Sequence, residues 1–176
     1  MRNAKQSIPR RGLLLASAAA AVAPAASVRD RLIGVWHLVS YEMKDKSTGE
    51  VTLPYGDKPE GRITYDRAGR MSAQLMRPGR TRLAGNVPQA GAFSILAKAS
   101  EAELREMVGG FIAYYGTFDV LEGERTIVHH VKGCLLPNWV GTDLRRGYEF
   151  EGKRKLTLIA DTPRAVGRLV WEREEG

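Results

Sequence analysis

Short apolar runs broken by turn residues recur from Gly34 to Trp171, a pattern that few folds other than an antiparallel sheet can absorb. The runs are Gly34–Tyr41, Glu50–Leu53, Arg62–Tyr65, Met71–Met76, Phe111–Val120, Thr126–Leu135, Leu144–Phe150, Lys155–Ala160 and Ala165–Trp171. Runs of this length bounded by Gly, Pro, Asp and Asn read as β-strands. Asp66-Arg67-Ala68-Gly69 and Glu151-Gly152-Lys153 are tight turns. Such turns make the flanking strands antiparallel neighbours. The expectation is an all-β chain of about eight strands by this run-counting rule. A sheet of that size must protect its edges, and closing into a barrel does so. A two-sheet sandwich is the competing architecture.

One segment breaks the strand pattern. Ser100 and Glu103 form a capping box, and Leu104, Met107 and Val108 fall on one face at helical spacing. Gly109-Gly110 stops this helix. A long loop precedes it, starting at Arg77-Pro78-Gly79 and running past Gly85 and Pro88. Arg77, Arg80 and Arg82 in that loop read as a solvated run, or as a basic patch that steers an anionic ligand.

The first 25 residues read as a signal peptide rather than as part of the fold. Arg2, Lys5, Arg10 and Arg11 precede an apolar run from Leu13 to Ala23, and Ala23-Pro24-Ala25 suits cleavage before Ala26. That run is shorter than the ~20 residues of a membrane span. Arg10-Arg11-Gly12-Leu13-Leu14 resembles a twin-arginine export signal. The expected partner is then the twin-arginine export machinery, and the expected location periplasmic or secreted. An ordinary secretory signal or an uncleaved anchor is the alternative.

The remaining domain is residues 26–176. Its charge argues against nucleic acid: the full chain is +7, but without four basic residues it holds 23 Lys plus Arg against 20 Asp plus Glu, or +3. Cys134 is the single cysteine, so no intrachain disulfide can form.

Gly34-Val35-Trp36 resembles the Gly-x-Trp signature of lipocalin-type barrels. The ordered set LIGVWHLVSYE, GRITYDRAGRMSAQLMRPGR, GFIAYYGTFDV, IVHHVKGCLLPNWVGTDLRR and RLVW is similar to the small bacterial and fungal lipocalin-like domain family. The resemblance spans roughly Leu32 to Trp171. It implies an antiparallel up-and-down barrel around a cavity for a small molecule. It brings no catalytic motif.

Alternation along strands sorts side chains to two faces. His129 and His130 are adjacent, so a regular strand cannot aim both into one lumen. Ile127, His129 and Val131 share one face; Val128, His130, Lys132 and Cys134 share the other. Lys132 prefers water, which puts His129 inward, unless a bulge reverses part of the strand. Trp36, Leu38 and Ser40 share a face, as do Tyr114, Gly116 and Phe118, and Leu144, Arg146, Tyr148 and Phe150. His37 then points outward. No cluster supplies three or four zinc ligands, so no metal and no cofactor is expected. A haem held by His129 alone has no supporting feature.

Arg146 is the informative residue of its apolar face. A buried arginine needs a partner, an anionic ligand or a route to water. Trp36, Tyr65, Tyr114, His129, Arg146 and Tyr148 are the candidate ligand-binding residues, a few polar groups among apolar ones. The leading expectation is a binding protein for a small hydrophobic or amphipathic ligand. The alternatives are an isomerase or cyclase with His129 as general acid/base, and a filled barrel with no ligand.

Overall fold

The computed structural model describes residues 26–83, 94 and 96–175; the signal-peptide expectation lies outside them. Nine strands follow one another: β1 Gly34–Asp45, β2 Val51–Thr52, β3 Glu60–Tyr65, β4 Arg70–Met76, β5 Phe111–Leu121, β6 Thr126–Cys134, β7 Asp143–Glu151, β8 Lys155–Asp161 and β9 Ala165–Arg173. Every pairing is antiparallel, and each strand from β3 onward pairs with the next. The twelve-residue β1 closes the ring. Gly34–His37 pair with β3 on one side, and Trp36–Asp45 pair with β9 on the other. Eight strands thus form a closed barrel, and β2 is an extra short strand on the far end of β1. The sandwich alternative is excluded.

A barrel core is filled from the inward face of every strand. Here it contains Trp36, Ile63, Tyr65, Phe118, Ile127, Leu156 and Trp171, all fully or almost fully buried. Two bulges shift the alternation. One lies between Leu38 and Ser40, so that Tyr41 and Met43, not Ser40, resume the inward series on β1. The other makes Lys132 an extra residue opposite Tyr115 and Gly116. Beyond it Cys134 pairs with Tyr114 and packs against the core, a correction to its expected outward position. Gly116 suits the second bulge because a Cβ there would meet the His130 carbonyl oxygen at 1.9 Å.

One end of the barrel is plugged. Helix α1, Val28–Leu32, was not apparent in the sequence; it is capped by Ser27 and buries Leu32. The Trp36 indole N–H donates to Leu32 O at 2.8 Å. The Arg173 guanidinium lies 4.1 Å from the Trp36 ring centroid and donates to Ile33 O, Arg31 O and Lys153 O at 2.6, 2.5 and 3.1 Å. Helix α2, Glu101–Gly109, is the one expected from its capping box, and both capping-box hydrogen bonds are present. It precedes β5 at the opposite end, where Arg77 bonds Glu106 at 2.7 Å. Among the described residues no helix is long and apolar enough to cross a membrane.

Candidate functional site

Above the plugged end the barrel holds a cavity of about 610 Å³. Ile63, Leu75, Leu144, Leu158 and Leu169 supply aliphatic wall from five different strands. Trp171 stands on β9, and Tyr114 and Phe111 on β5. Tyr41, Tyr55, Trp139 and Val108 line the end away from α1. Tyr41 and Tyr55 meet edge to face at 5.5 Å, and Trp139 meets Tyr114 the same way at 6.1 Å. No Asp or Glu is among the lining residues.

Arg146 is the charged group of this wall. Alternation on β7 places it inward, half-buried, between Leu144 and Tyr148. Its Nη1 donates to Arg145 O at 2.9 Å, and among the described residues it pairs with no carboxylate. Its charge reaches Tyr41, Tyr65, Tyr114 and His129. Burial raises the Tyr114 phenol above the usual tyrosine value, and the charge and hydrogen bond of Arg146 pull it back down.

Behind Tyr114 lies a fully buried imidazole. His129 Nε2 is 2.8 Å from the Tyr65 hydroxyl, and Nδ1 is 3.1 Å from the Tyr114 hydroxyl. Burial, helped by the positive charge of Arg146, lowers its pKa to about 3. The imidazole is therefore neutral near pH 7, with one donor and one acceptor nitrogen. Burial also pushes the Tyr65 phenol well above its ordinary value. The three side chains form a neutral hydrogen-bonded chain whose cavity end is Tyr114.

His129 thus faces inward, as alternation required, and His130 faces out. There His130 bonds Asp143 at 2.6 Å and Asp119 at 3.0 Å. Of the six candidate residues, Tyr114 and Arg146 line the cavity. Trp36 and Tyr148 are packed toward the plugged end instead, and Tyr65 and His129 sit behind the wall. His129 has no exposed surface, both ring nitrogens are engaged, and its basicity is too low to take a proton near pH 7. A general-base role, or ligation of a haem iron, has no free nitrogen to work with. Among the described residues no group of three or more His, Cys, Asp or Glu could hold a metal.

Sequence reasoning missed Tyr41, Tyr55 and Trp139. Tyr41 enters through the β1 bulge, and the other two stand on irregular connections where no period sorts inside from outside.

Residues 33–174 match the family model described as "Lipocalin-like domain". The chain belongs to that family. The lipocalin-like domain therefore comprises the whole closed barrel. A curated relative, the "4'-hydroxy-3'-methoxypropiophenone carrier protein ppsC" of Aspergillus oryzae (strain ATCC 42149 / RIB 40), is 33% identical over 88 residues. The match covers 47% of this chain and 72% of the relative. Among solved structures, a redesigned beta barrel is similar over 84% of this chain and 95% of its own, at 10% identity and a TM-score of 0.40. A likeness that low carries no further inference for this lipocalin-like barrel.

Proposed function

We propose that this lipocalin-like protein is an exported carrier for a small amphipathic aromatic molecule. One observation carries the reading: a cavity of about 610 Å³, apolar around most of its wall, with Arg146 and Tyr114 as converging polar groups. Ligand sites have this form, apolar contact for affinity and a few polar groups for orientation. The wall aromatics suit a flat ring, and the two polar groups suit an oxygen. The Aspergillus relative is by its name a carrier of a phenolic aryl ketone, which combines both features. The same class is the first to test here.

Trp139 and Trp171 line the cavity, so intrinsic fluorescence reports occupancy. Titration with 4'-hydroxy-3'-methoxypropiophenone is expected to quench it to saturation. Arg146→Met and Tyr114→Phe are each expected to weaken binding about tenfold, the loss of one good polar contact of ~1.4 kcal/mol. Native mass spectrometry of protein purified from its own host is expected to show a retained small molecule. No quenching together with no retained mass would end the carrier reading.

Export rests on the first 25 residues and on their twin-arginine pattern. Replacing Arg10 and Arg11 together by Lys is expected to leave the full-length chain in the cytoplasm. Undiminished appearance of a shorter chain beginning at Ala26 outside the cytoplasm would remove the twin-arginine route.

A further inference from the structure

Two polar groups of the cavity wall, Tyr114 and Arg146, each present a hydrogen-bond donor, and no carboxylate among the described residues lines the wall beside them. The hydrogen-bond chain behind the wall sets this polarity. Tyr65 is buried on all sides, and among the described residues its hydroxyl has one partner, His129 Nε2. If Nε2 carried the proton, the Tyr65 O–H hydrogen would be buried with nothing to accept it. That costs roughly 1–3 kcal/mol. The satisfied arrangement has Tyr65 donating to Nε2. Nδ1 then carries the ring proton and donates to the Tyr114 oxygen at 3.1 Å. The Tyr114 O–H hydrogen is left over, and Tyr114 lines the cavity. Arg146, whose guanidinium is always charged, adds donors on the same wall. The Trp171 indole N–H, on another wall of the cavity, is buried and has no partner among the described residues.

We infer that the cavity takes its ligand as an oxyanion, with the ligand's charged oxygen held between the Tyr114 hydroxyl and the Arg146 guanidinium. This rests on the carrier reading and deepens it by naming the ionisation state. A phenol entering the site gives its proton to bulk water, and the phenolate is what stays bound. The other titratable groups facing the site are Tyr41 and Tyr55, with His129, Tyr65 and Cys134 behind the wall. None is a carboxylate, so none competes with the ligand for Arg146. Strands β4, β8 and β9 face it with Leu75, Leu158 and Leu169, which offer neither charge nor acceptor.

The test follows the ionisation of a chromophoric ligand. A 4-hydroxyaryl ketone changes its absorption band when its phenol ionises. The probes are 4'-hydroxy-3'-methoxypropiophenone and its 4'-O-methyl ether, each bound to the full-length protein. The bound phenol is expected to titrate at least one pH unit below the free phenol, a tenfold preference for the phenolate. The ether is expected to bind at least about tenfold more weakly at pH 8, by the same conversion. Arg146→Met is expected to abolish the displacement while leaving binding measurable. Tyr114→Phe is a second variant that removes one donor and keeps the ring in place. A bound phenol titrating at or above its free value, or equal affinity for phenol and ether, would overturn the oxyanion site and leave the carrier standing. So would a displacement that survives both variants. Failure of both probes to bind would overturn this inference, and the carrier reading with it only where native mass spectrometry also shows no retained small molecule.

Discussion

Arg173 and Arg146 both stand at the inner side of one barrel, and they meet opposite circumstances. At the plugged end Arg173 covers the Trp36 ring and donates to three backbone carbonyls. Its donors complete α1 and the strand ends, so the guanidinium is a structural clasp. At the other end Arg146 donates to one carbonyl, beside its own strand position, and hydrogen-bonds Tyr114, and among the described residues it meets no carboxylate. The same side chain is spent on the fold in one place and left available in the other. The difference follows from what surrounds each. A helix terminus and a turn offer several free carbonyls; the cavity wall offers Arg146 one, because strand pairing engages the rest.

The largest loss is expected at the plugged end. Trp36 is fully buried, with its N–H satisfied by Leu32. Trp36→Ala is expected to cost about 3–5 kcal/mol in chemical denaturation, the usual range for such a cavity. A cost under ~1 kcal/mol would mean that α1 and Arg173 do not seal a packed core.

The next effect is acid sensitivity from the wall between the two ends. His129 has its pKa lowered from 6.5 to about 3 by burial, so the unfolded chain binds its proton first. Its contribution is full above 6.5 and is lost as pH falls from 6.5 toward 3. The slope is about 1.4 kcal/mol per pH unit at most. Denaturation midpoints measured between pH 7 and pH 4 are expected to fall steeply, and less so in His129→Gln. Parallel pH profiles for the two proteins would show that the imidazole is not held neutral.

Exchanging the two arginines for methionine tests the contrast directly. Arg173→Met strands three carbonyls and is expected to cost roughly 3 kcal/mol. Arg146→Met removes a half-buried charge with no carboxylate partner. It is expected to leave stability within about 1 kcal/mol, in either direction. Equal losses would place Arg146 in the fold rather than in the site.

Much of this architecture was readable before any coordinates. Each strand carries its own alternation and turn residues, and the capping box at Ser100 and Glu103 marks α2 locally. Alternation also placed His129 and Arg146 inward. What stayed hidden depends on partners distant in sequence. A bulge such as that at Lys132 is a property of two strands in register, and it reverses the inside of one strand without a mark that one strand can show. Tyr55 and Trp139 reach the cavity from irregular connections, where no period exists. Tyr65 and His129 were rightly sent inward, yet only depth in the barrel separates a residue on the wall from one behind it. Strand periodicity carries no information about depth.

The smallest expected effect comes from the outer face of the same strand, and its sign is opposite to that of His129. His130 bonds Asp143 on β7 and Asp119 on β5, so one ring ties three adjacent strands. These bonds raise its pKa above the ordinary histidine value, Asp143 first and Asp119 second. A raised folded-state pKa gives stability that is present below the unfolded value and lost as pH rises through the folded one. The ring and both carboxylates are well exposed, so solvent and salt screen them and the gain stays below about 1 kcal/mol. His130→Gln is therefore expected to be less stable than the parent at pH 5.5 in low salt. The two should become indistinguishable above pH 8, or near 1 M salt at any pH, where the screening length falls to about 3 Å. A deficit that persists unchanged across pH and salt would mean that His130 acts by packing, and that adjacent histidines on one strand do not carry opposite pH dependences.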